Sequence, residues 1–361
     1  MPQPKTATNP NAVLFEELLK MKRREMKQFV RSRNTNPTKG INWLYPRAVE
    51  RTYFKKIRDL MKQITDPMTE YVRENIGQWI SEYNFLMNDK SIKRKSLIVV
   101  NKDNSLEAVN DKIKKDVYPD DLKIHIEQLE EKLQEIYKTH GDRVRTLISD
   151  IGFDISEYNN TQWKKFTKEL IGIEFVVTEP WELEMIKAWA EENFTLIKSL
   201  SQEYIKKVNT IVSNSVTTGK TSSHVFKEMK KLNLNITDAR TRLIARDQVG
   251  KLQGQFTQRR MTDAGLDMYI WVTAGDERVR GNPSGPYKHA NPSHYVMSGK
   301  ICRWDDATKY SEDGKKWKKR KGKMPKAHPG QEIRCRCTAI PYMADIIKLV
   351  DRMIEKEKKA A

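Results

Sequence analysis

Met268-Tyr269-Ile270-Trp271-Val272 is the stretch that decides the fold. Its β-branched and aromatic side chains predict a strand, and it follows a long series of helical patterns. The polar run Thr273-Ala274-Gly275-Asp276-Glu277-Arg278-Val279-Arg280 comes directly after it and has no helical periodicity. The sequence thus changes near residue 266 from helix-dominated to mixed. Short strands are expected around 268 to 272, 295 to 304 and 332 to 340, joined by loops rich in Gly, Pro and Asn. Asp313-Gly314 is a turn signal between charged segments. The expected class is mainly α: a helical N-terminal body followed by a small α+β C-terminal domain.

Outward from that stretch toward the N-terminus, Thr237-Asp238 is expected to start a long helix through Leu243, Val249 and Phe256, closed by Gly265. The longest helix is predicted after Glu179-Pro180, with Ile197, Leu200, Tyr204, Val208 and Ile211 in register and a glycine stop at Gly219. Ser222 or Ser223 would cap the next short helix. Gly219-Lys220-Thr221 resembles the end of a phosphate-binding loop, but the earlier glycine is absent at Asn214 and no apolar strand precedes it, so it reads as a helix end. Trp163, Phe166 and Leu170 are expected to open another helix. Leu122, Ile126, Leu129, Leu133 and Ile136 mark a bundle helix. Residues 88 to 120 read as an exposed insertion or loop. Val49, Tyr53, Ile57, Leu60 and Ile64 form an apolar stripe behind Pro46, and a second helix is expected after Asp66-Pro67. Residues 1 to 12 predict a loose tail with a helix from Val13, and Ile346 to Ala361 predict a terminal helix. The division expected is a basic arm (1–40), a helical body (41–218), a C-terminal domain (219–342) and a final helix or tail (343–361).

Lys and Arg total 67 against 48 Asp and Glu, a net charge of +19. A polyanion or an acidic protein surface is the expected partner, although long solvated helices would also carry such charge. Residues 1 to 60 alone hold a large share of the excess. Only three cysteines are present, which excludes a disulfide framework and suits a reducing compartment. The opening Met1-Pro2-Gln3-Pro4-Lys5 lacks the apolar core of a signal peptide. No apolar run reaches bilayer-spanning length, so no membrane-spanning segment is expected.

Chemically capable residues concentrate between 271 and 337. Cys335 and Cys337, with His328 and either His289 or His294, are donors of the type zinc prefers; zinc is the candidate ion, and no cofactor is otherwise implied. The Cys-x-Cys spacing differs from the familiar Cys-x2-Cys. The alternative is a strand with Arg334 and Arg336 on one face and the two cysteines packed on the other. Asp276, Arg278 and Arg280 predict a turn held by an internal ion pair, with Asp247 facing Arg246 or Arg278. Lys315, Lys316, Trp317, Lys318, Lys319, Arg320 and Lys321 form an acid-free basic run whose tryptophan could stack on bases while the charges track a phosphate backbone. Its alternative is a hairpin tip that is basic for solubility. A nuclease-like use of His294 as base, with Arg278 and Arg280 stabilising charge, is the second functional reading. The spacing does not enforce it, so no catalytic residue is assigned and the chain reads as a non-enzyme.

These residues carry a resemblance. Leu44-Tyr45-Pro46-Arg47-Ala48-Val49-Glu50-Arg51-Thr52-Tyr53 looks like the N-terminal helix of the phage Mu F-like family of minor head, or head morphogenesis, proteins. Ile244-Ala245-Arg246-Asp247 stands where that family has Ala-Arg-Thr-Glu. Trp271, Asp276, Arg278, Val279, Arg280, His294 and Gly299 follow its order, and Arg334-Cys335-Arg336-Cys337 resembles its Asn-Cys-Arg-Cys. Two departures are the acid at Asp247 and the insertion of Gly281 to Ser293 before His294. The resemblance implies that residues 219–342 are a Mu F-like domain. It implies a minor capsid protein that assembles beside the portal, with capsid or scaffolding proteins and nonspecifically bound DNA as partners. It also implies a location in the head interior, reached from the host cytoplasm during assembly, and a role in packaging or ejection.

Overall fold

The apolar stripe behind Pro46 continues past Asp66-Pro67. In the computed structural model it forms one helix, α1 (Arg47–Asn88), with Pro67 inside it. An internal proline removes a backbone hydrogen bond and costs about 3 kcal/mol. Ile57, Leu60, Met61 and Ile64 before it and Met68, Val72, Ile76 and Trp79 after it are all buried. At roughly 1.5–3 kcal/mol per large apolar side chain, their burial outweighs the proline. The expected break after Asp66 is therefore corrected to a continuous helix.

The structure describes residues 20, 21, 24, 43–88, 98–100, 106–108, 120–139, 141–171 and 179–360. The expected tail, and the arm apart from the helical Lys20, Met21 and Arg24, lie outside them. After α1 come β1 (Ile98–Val100), β2 (Leu106–Ala108), α2 (Asp120–Thr139), α3 (Gly141–Ile171), α4 (Glu182–Thr217) and α5 (Ser222–Leu232). A π-helical turn (Asn233–Arg240) leads into α6 (Thr241–Asp263) and then β3 (Met268–Val272). A 3₁₀ turn (Tyr295–Met297), β4 (Ile301–Arg303), β5 (Lys309–Ser311), β6 (Trp317–Lys319), β7 (Thr338–Pro341) and α7 (Met343–Ala360) complete the order. The fold is thus mainly α with a small α+β C-terminal part.

Several boundaries differ from the sequence pattern. β1 and β2 pair antiparallel, with Val99 opposite Glu107, where an irregular insertion was expected; the β-branched run Ile98-Val99-Val100 accounts for the first strand. Trp163 and Phe166 lie near the end of α3 rather than opening a helix. At 42 residues α1 exceeds α4 at 36. Thr221, not Ser222 or Ser223, caps α5, its hydroxyl accepting from His224 N. Residues 332 to 337 are not a strand, because Arg334 takes a left-handed backbone conformation (φ 61°) that interrupts extension.

Two compact units interleave along the chain. One comprises Met1–Thr52, Ser149–Trp189 and Ala245–Ala361, and the other Tyr53–Ile148 and Ala190–Ile244. These units do not follow the consecutive boundaries drawn from composition. The first holds a five-stranded antiparallel sheet in the order β6-β5-β4-β3-β7. Tyr269 stands opposite Cys302 on β4, and Trp271 opposite Ala339 on β7. The β3 residues Tyr269, Ile270 and Trp271 are buried in a core shared with Trp43, Trp163, Phe166, Ile340 and Val350. In α7, Ile346, Leu349, Val350 and Ile354 recur every three or four residues and bury one stripe.

Among its described residues the second unit is helical apart from β1, β2 and the turn at 218–221. Tyr53, Leu129, Leu133, Ile197, Tyr204, Val208 and Met229 are buried in it, and Tyr53 donates from its hydroxyl to Asn193 Oδ1 at 2.8 Å. Among the described residues no helix is long and apolar enough to cross a membrane.

Candidate functional site

Helix α6 carries Gly250 and Gly254 one turn apart, and the segment 329–335 rests directly on them. A Cβ at Gly250 would stand 2.7 Å from the Cys335 carbonyl oxygen, and one at Gly254 would stand 2.6 Å from that of Pro329. Only glycine permits so close an approach of two backbones. Asp247, on the same helix, accepts from Arg334 N at 3.1 Å. The left-handed turn at Arg334 is thereby tied to α6, and the chain beyond it delivers Cys335 and Cys337 inward.

His294 reaches the same place from another loop. Its backbone N–H and that of Tyr295 donate to the Arg280 carbonyl, each at 3.0 Å. His294, Cys335 and Cys337 are all buried. Nδ1 of His294 lies 3.5 Å from each sulfur. Nε2 lies 2.8 Å from Glu332 Oε2, which also accepts from Arg280 Nη1 at 3.1 Å. The Trp271 ring meets the His294 ring edge-on, with centroids 5.8 Å apart. A cavity of about 20 Å³ adjoins these donors, lined also by Ala274, Arg278 and Arg334.

Charge in this group is unevenly held. A hydrogen bond from Cys337 pulls the Cys335 thiol well below its ordinary value despite burial, with further help from His294. The same bond pushes Cys337 up. Burial alone would lower the His294 imidazole, but hydrogen bonds and charge from Cys335 and Glu332 raise it overall.

The other motif residues hold the site together. Arg336 grips Asp276 bidentately at 2.6 and 2.8 Å, and that guanidinium holds the Asp276 carboxyl below its usual range. The expected turn around Asp276 is present, with Arg278 N donating to Oδ1 at 3.1 Å, but its ionic partners are Arg336 and Arg47. Asp247 faces Arg334 N and Lys251 rather than Arg246 or Arg278. Arg246 pairs instead with Glu50 at 3.1 Å. Gly299, at φ 78°, donates to the Trp271 carbonyl. Tyr45 donates to the Arg246 carbonyl, and Thr338 to that of Trp43. The segment 43–50 and the C-terminal motif residues, distant in sequence, thus form one bonded set.

Other expected site residues lie elsewhere. His289 is exposed. His328 is buried, with Nδ1 2.8 Å from the Tyr269 hydroxyl, and it is absent from the His294–Cys335–Cys337 group. Lys315, Lys316, Lys318, Lys319 and Lys321 are exposed on and beside β6, an outer strand of the sheet. Trp317 is half-buried, with Arg303 over its ring. Arg320 is removed from the contact set, because it is 4% exposed and donates to the carbonyls of Lys309, Pro325 and Ala327. Glu332 was not foreseen, since nothing in its spacing marks it. Gly250 and Gly254 could have been found, because glycines four apart inside a helix signal a close approach.

These features define a mainly helical protein whose small antiparallel domain closes around a His-Cys-Cys group braced by arginine–carboxylate pairs. Residues 206–340 match the family model described as Phage Mu protein F like protein. An uncharacterized protein of Haemophilus influenzae is 28% identical over 179 residues, covering 49% of this chain and 34% of that relative. The match therefore spans only about a third of the relative's length. No solved structure matches the chain.

Proposed function

We propose that this chain is a minor head protein of a tailed bacteriophage, acting in head assembly beside the portal and touching packaged DNA through its phosphates. The observation that carries this is the Mu F-like match over residues 206–340. That family is one of phage head morphogenesis. The bonding of Asp276 to Arg336 and of Glu50 to Arg246 supports the match by giving the motif residues a common structural task. The partners are the portal and the capsid or scaffolding proteins, and the place is the head interior after assembly in the host cytoplasm.

DNA contact is supported by the exposed lysines of β6 and its flanks and by the charge of +19. Tyr310, Lys318, Lys319, Lys321 and Met324 line an open groove of about 510 Å³, combining cationic and aromatic surface suited to a nucleic-acid strand. The nuclease-like reading has less support. His294 is 2% exposed and held between Glu332 and the two sulfurs, so it offers no free base to a phosphodiester.

Quantitative mass spectrometry of purified, nuclease-treated virions tests the proposal against the portal and major capsid proteins as references. A small, fixed copy number per particle is expected. Absence from both virions and procapsids would remove the minor head role.

A further inference from the structure

A carboxylate facing an imidazole nitrogen can only accept, so Glu332 fixes the proton of neutral His294 on Nε2. Nδ1 then directs one lone pair toward two sulfurs, at 3.5 Å from each. One lone pair accepts one S–H, so hydrogen bonding to the neutral ring accounts for one approach and needs the separate Cys337–Cys335 hydrogen bond to hold the second sulfur near. A single ion between the three donors explains both. In tetrahedral coordination, Zn–S bonds of about 2.3 Å and a Zn–N bond of about 2.05 Å separate nitrogen from sulfur by roughly 3.5 Å. The three donor atoms lie within 4.8 Å of one another.

We propose that His294 Nδ1 and the Cys335 and Cys337 sulfurs bind one zinc ion, with Glu332 orienting the imidazole and a water molecule completing the tetrahedron. The donor set favours zinc, since two thiolates and one imidazole are borderline-soft and suit tetrahedral geometry. Two thiolates also balance the charge of the ion, so the buried centre is neutral. The carboxylate–histidine–metal chain repeats a common supporting arrangement, in which the outer acceptor sets the tautomer and raises ligand basicity.

The fourth position is supplied by the adjoining cavity. Its volume of about 20 Å³ exceeds the roughly 10–15 Å³ that one water needs. Among the described residues no fourth histidine, cysteine or carboxylate joins the group. His328, which the sequence offered for that place, is engaged with Tyr269. On zinc binding, the protons displaced from the two thiols leave to solvent while the imidazole keeps its proton on Nε2 toward Glu332, so affinity rises with pH. The task of the ion is to pin the 332–337 turn to the loop bearing His294. Both segments have little regular structure of their own. The inference does not depend on the chain residing in a virion.

The test is metal analysis of the full chain, purified, supplied with equimolar zinc and dialysed against metal-free buffer. About one zinc per chain is expected, retained in Cys302→Ser and lost in the Cys335→Ser/Cys337→Ser double variant. Because the double variant could misfold, two further measurements use chains that keep all three donors. Cobalt-loaded wild type should show thiolate-to-cobalt charge-transfer absorption. Glu332→Gln should bind zinc about 10–100-fold more weakly in chelator competition. A folded wild-type chain that retains no zinc and gives no cobalt–thiolate band would overturn the proposal, leaving an imidazole–thiol hydrogen-bonded group. Zinc retained by the double variant, or affinity unchanged in Glu332→Gln, would count against it equally.

Discussion

His328 shows how burial decides what a histidine can do. Burial, with Arg320 nearby, lowers it from 6.5 to about 4, so at neutral pH it is an uncharged ring accepting from Tyr269. The folded value lies below the unfolded one, so the stability this residue supplies is complete above about pH 6.5 and is lost as pH falls toward 4. Across that window the unfolded chain binds one more proton at this residue, a slope of about 1.4 kcal/mol per pH unit. In urea unfolding between pH 6.5 and 4, His328→Gln should lose stability less steeply than wild type by about that slope. Equal slopes would show that the ring is accessible to protons in the fold. The sequence pointed to Cys335, Cys337 and a histidine, and the structure brings His294 to them. The sequence also offered His328, which the fold places elsewhere, and it could not separate His294 from His289, because both lie in the same polar loop. Which ring meets the sulfurs depends on the Arg280 carbonyl that seats His294, a backbone interaction with no trace in composition.

Helix α6 and strand β6 each carry a prediction. At Gly254 an added Cβ meets the Pro329 carbonyl at 2.6 Å, whereas at the exposed Gly77 of α1 it meets nothing within 4 Å. Gly254→Ala should therefore destabilise the fold by about 1–3 kcal/mol through overpacking. Gly77→Ala should stabilise it by about 0.4–1 kcal/mol by reducing unfolded-state freedom. Thermal unfolding of both variants checks the opposite signs. For β6, replacing Lys315, Lys316, Lys318, Lys319 and Lys321 by Gln should leave the fold intact, since all five are exposed. It should flatten the dependence of log affinity for duplex DNA on log salt by about 0.9 for each phosphate that the variant no longer neutralises; an unchanged slope would take DNA binding away from this strand. Periodicity read most helices and β3 correctly. It failed at Pro67 because a local breaker signal was outweighed by a stripe continuing on both sides, and at residues 332 to 337 because one left-handed residue is invisible to pattern.

For the molecule as a whole, the family match covers residues 206–340, but the core beneath it does not stop there. Trp43, Trp163, Phe166, Ile346 and Val350 are packed into the same cluster as Tyr269 and Trp271. A fragment limited to 206–340 lacks these side chains. It should give no cooperative thermal transition, whereas the full chain should melt cooperatively by circular dichroism. A sharp transition in the fragment would show that the sheet and loops suffice alone. Composition placed the helical-to-mixed change correctly, yet it drew consecutive domains because nothing in a linear profile shows Trp43 meeting Thr338.

That interleaving also imposes an order in time. Every residue of the unit formed by Tyr53–Ile148 and Ala190–Ile244 has been synthesised before the ribosome reaches β3. The other unit packs Trp43 into the same core as Val350 of α7, so an early segment must wait for its last. The intervening helices can fold while translation continues, but the sheet, the His294 loop and the two-cysteine turn can close only once Ile354 has emerged. The cysteines are therefore open to solvent throughout synthesis and are sequestered by the final step of folding.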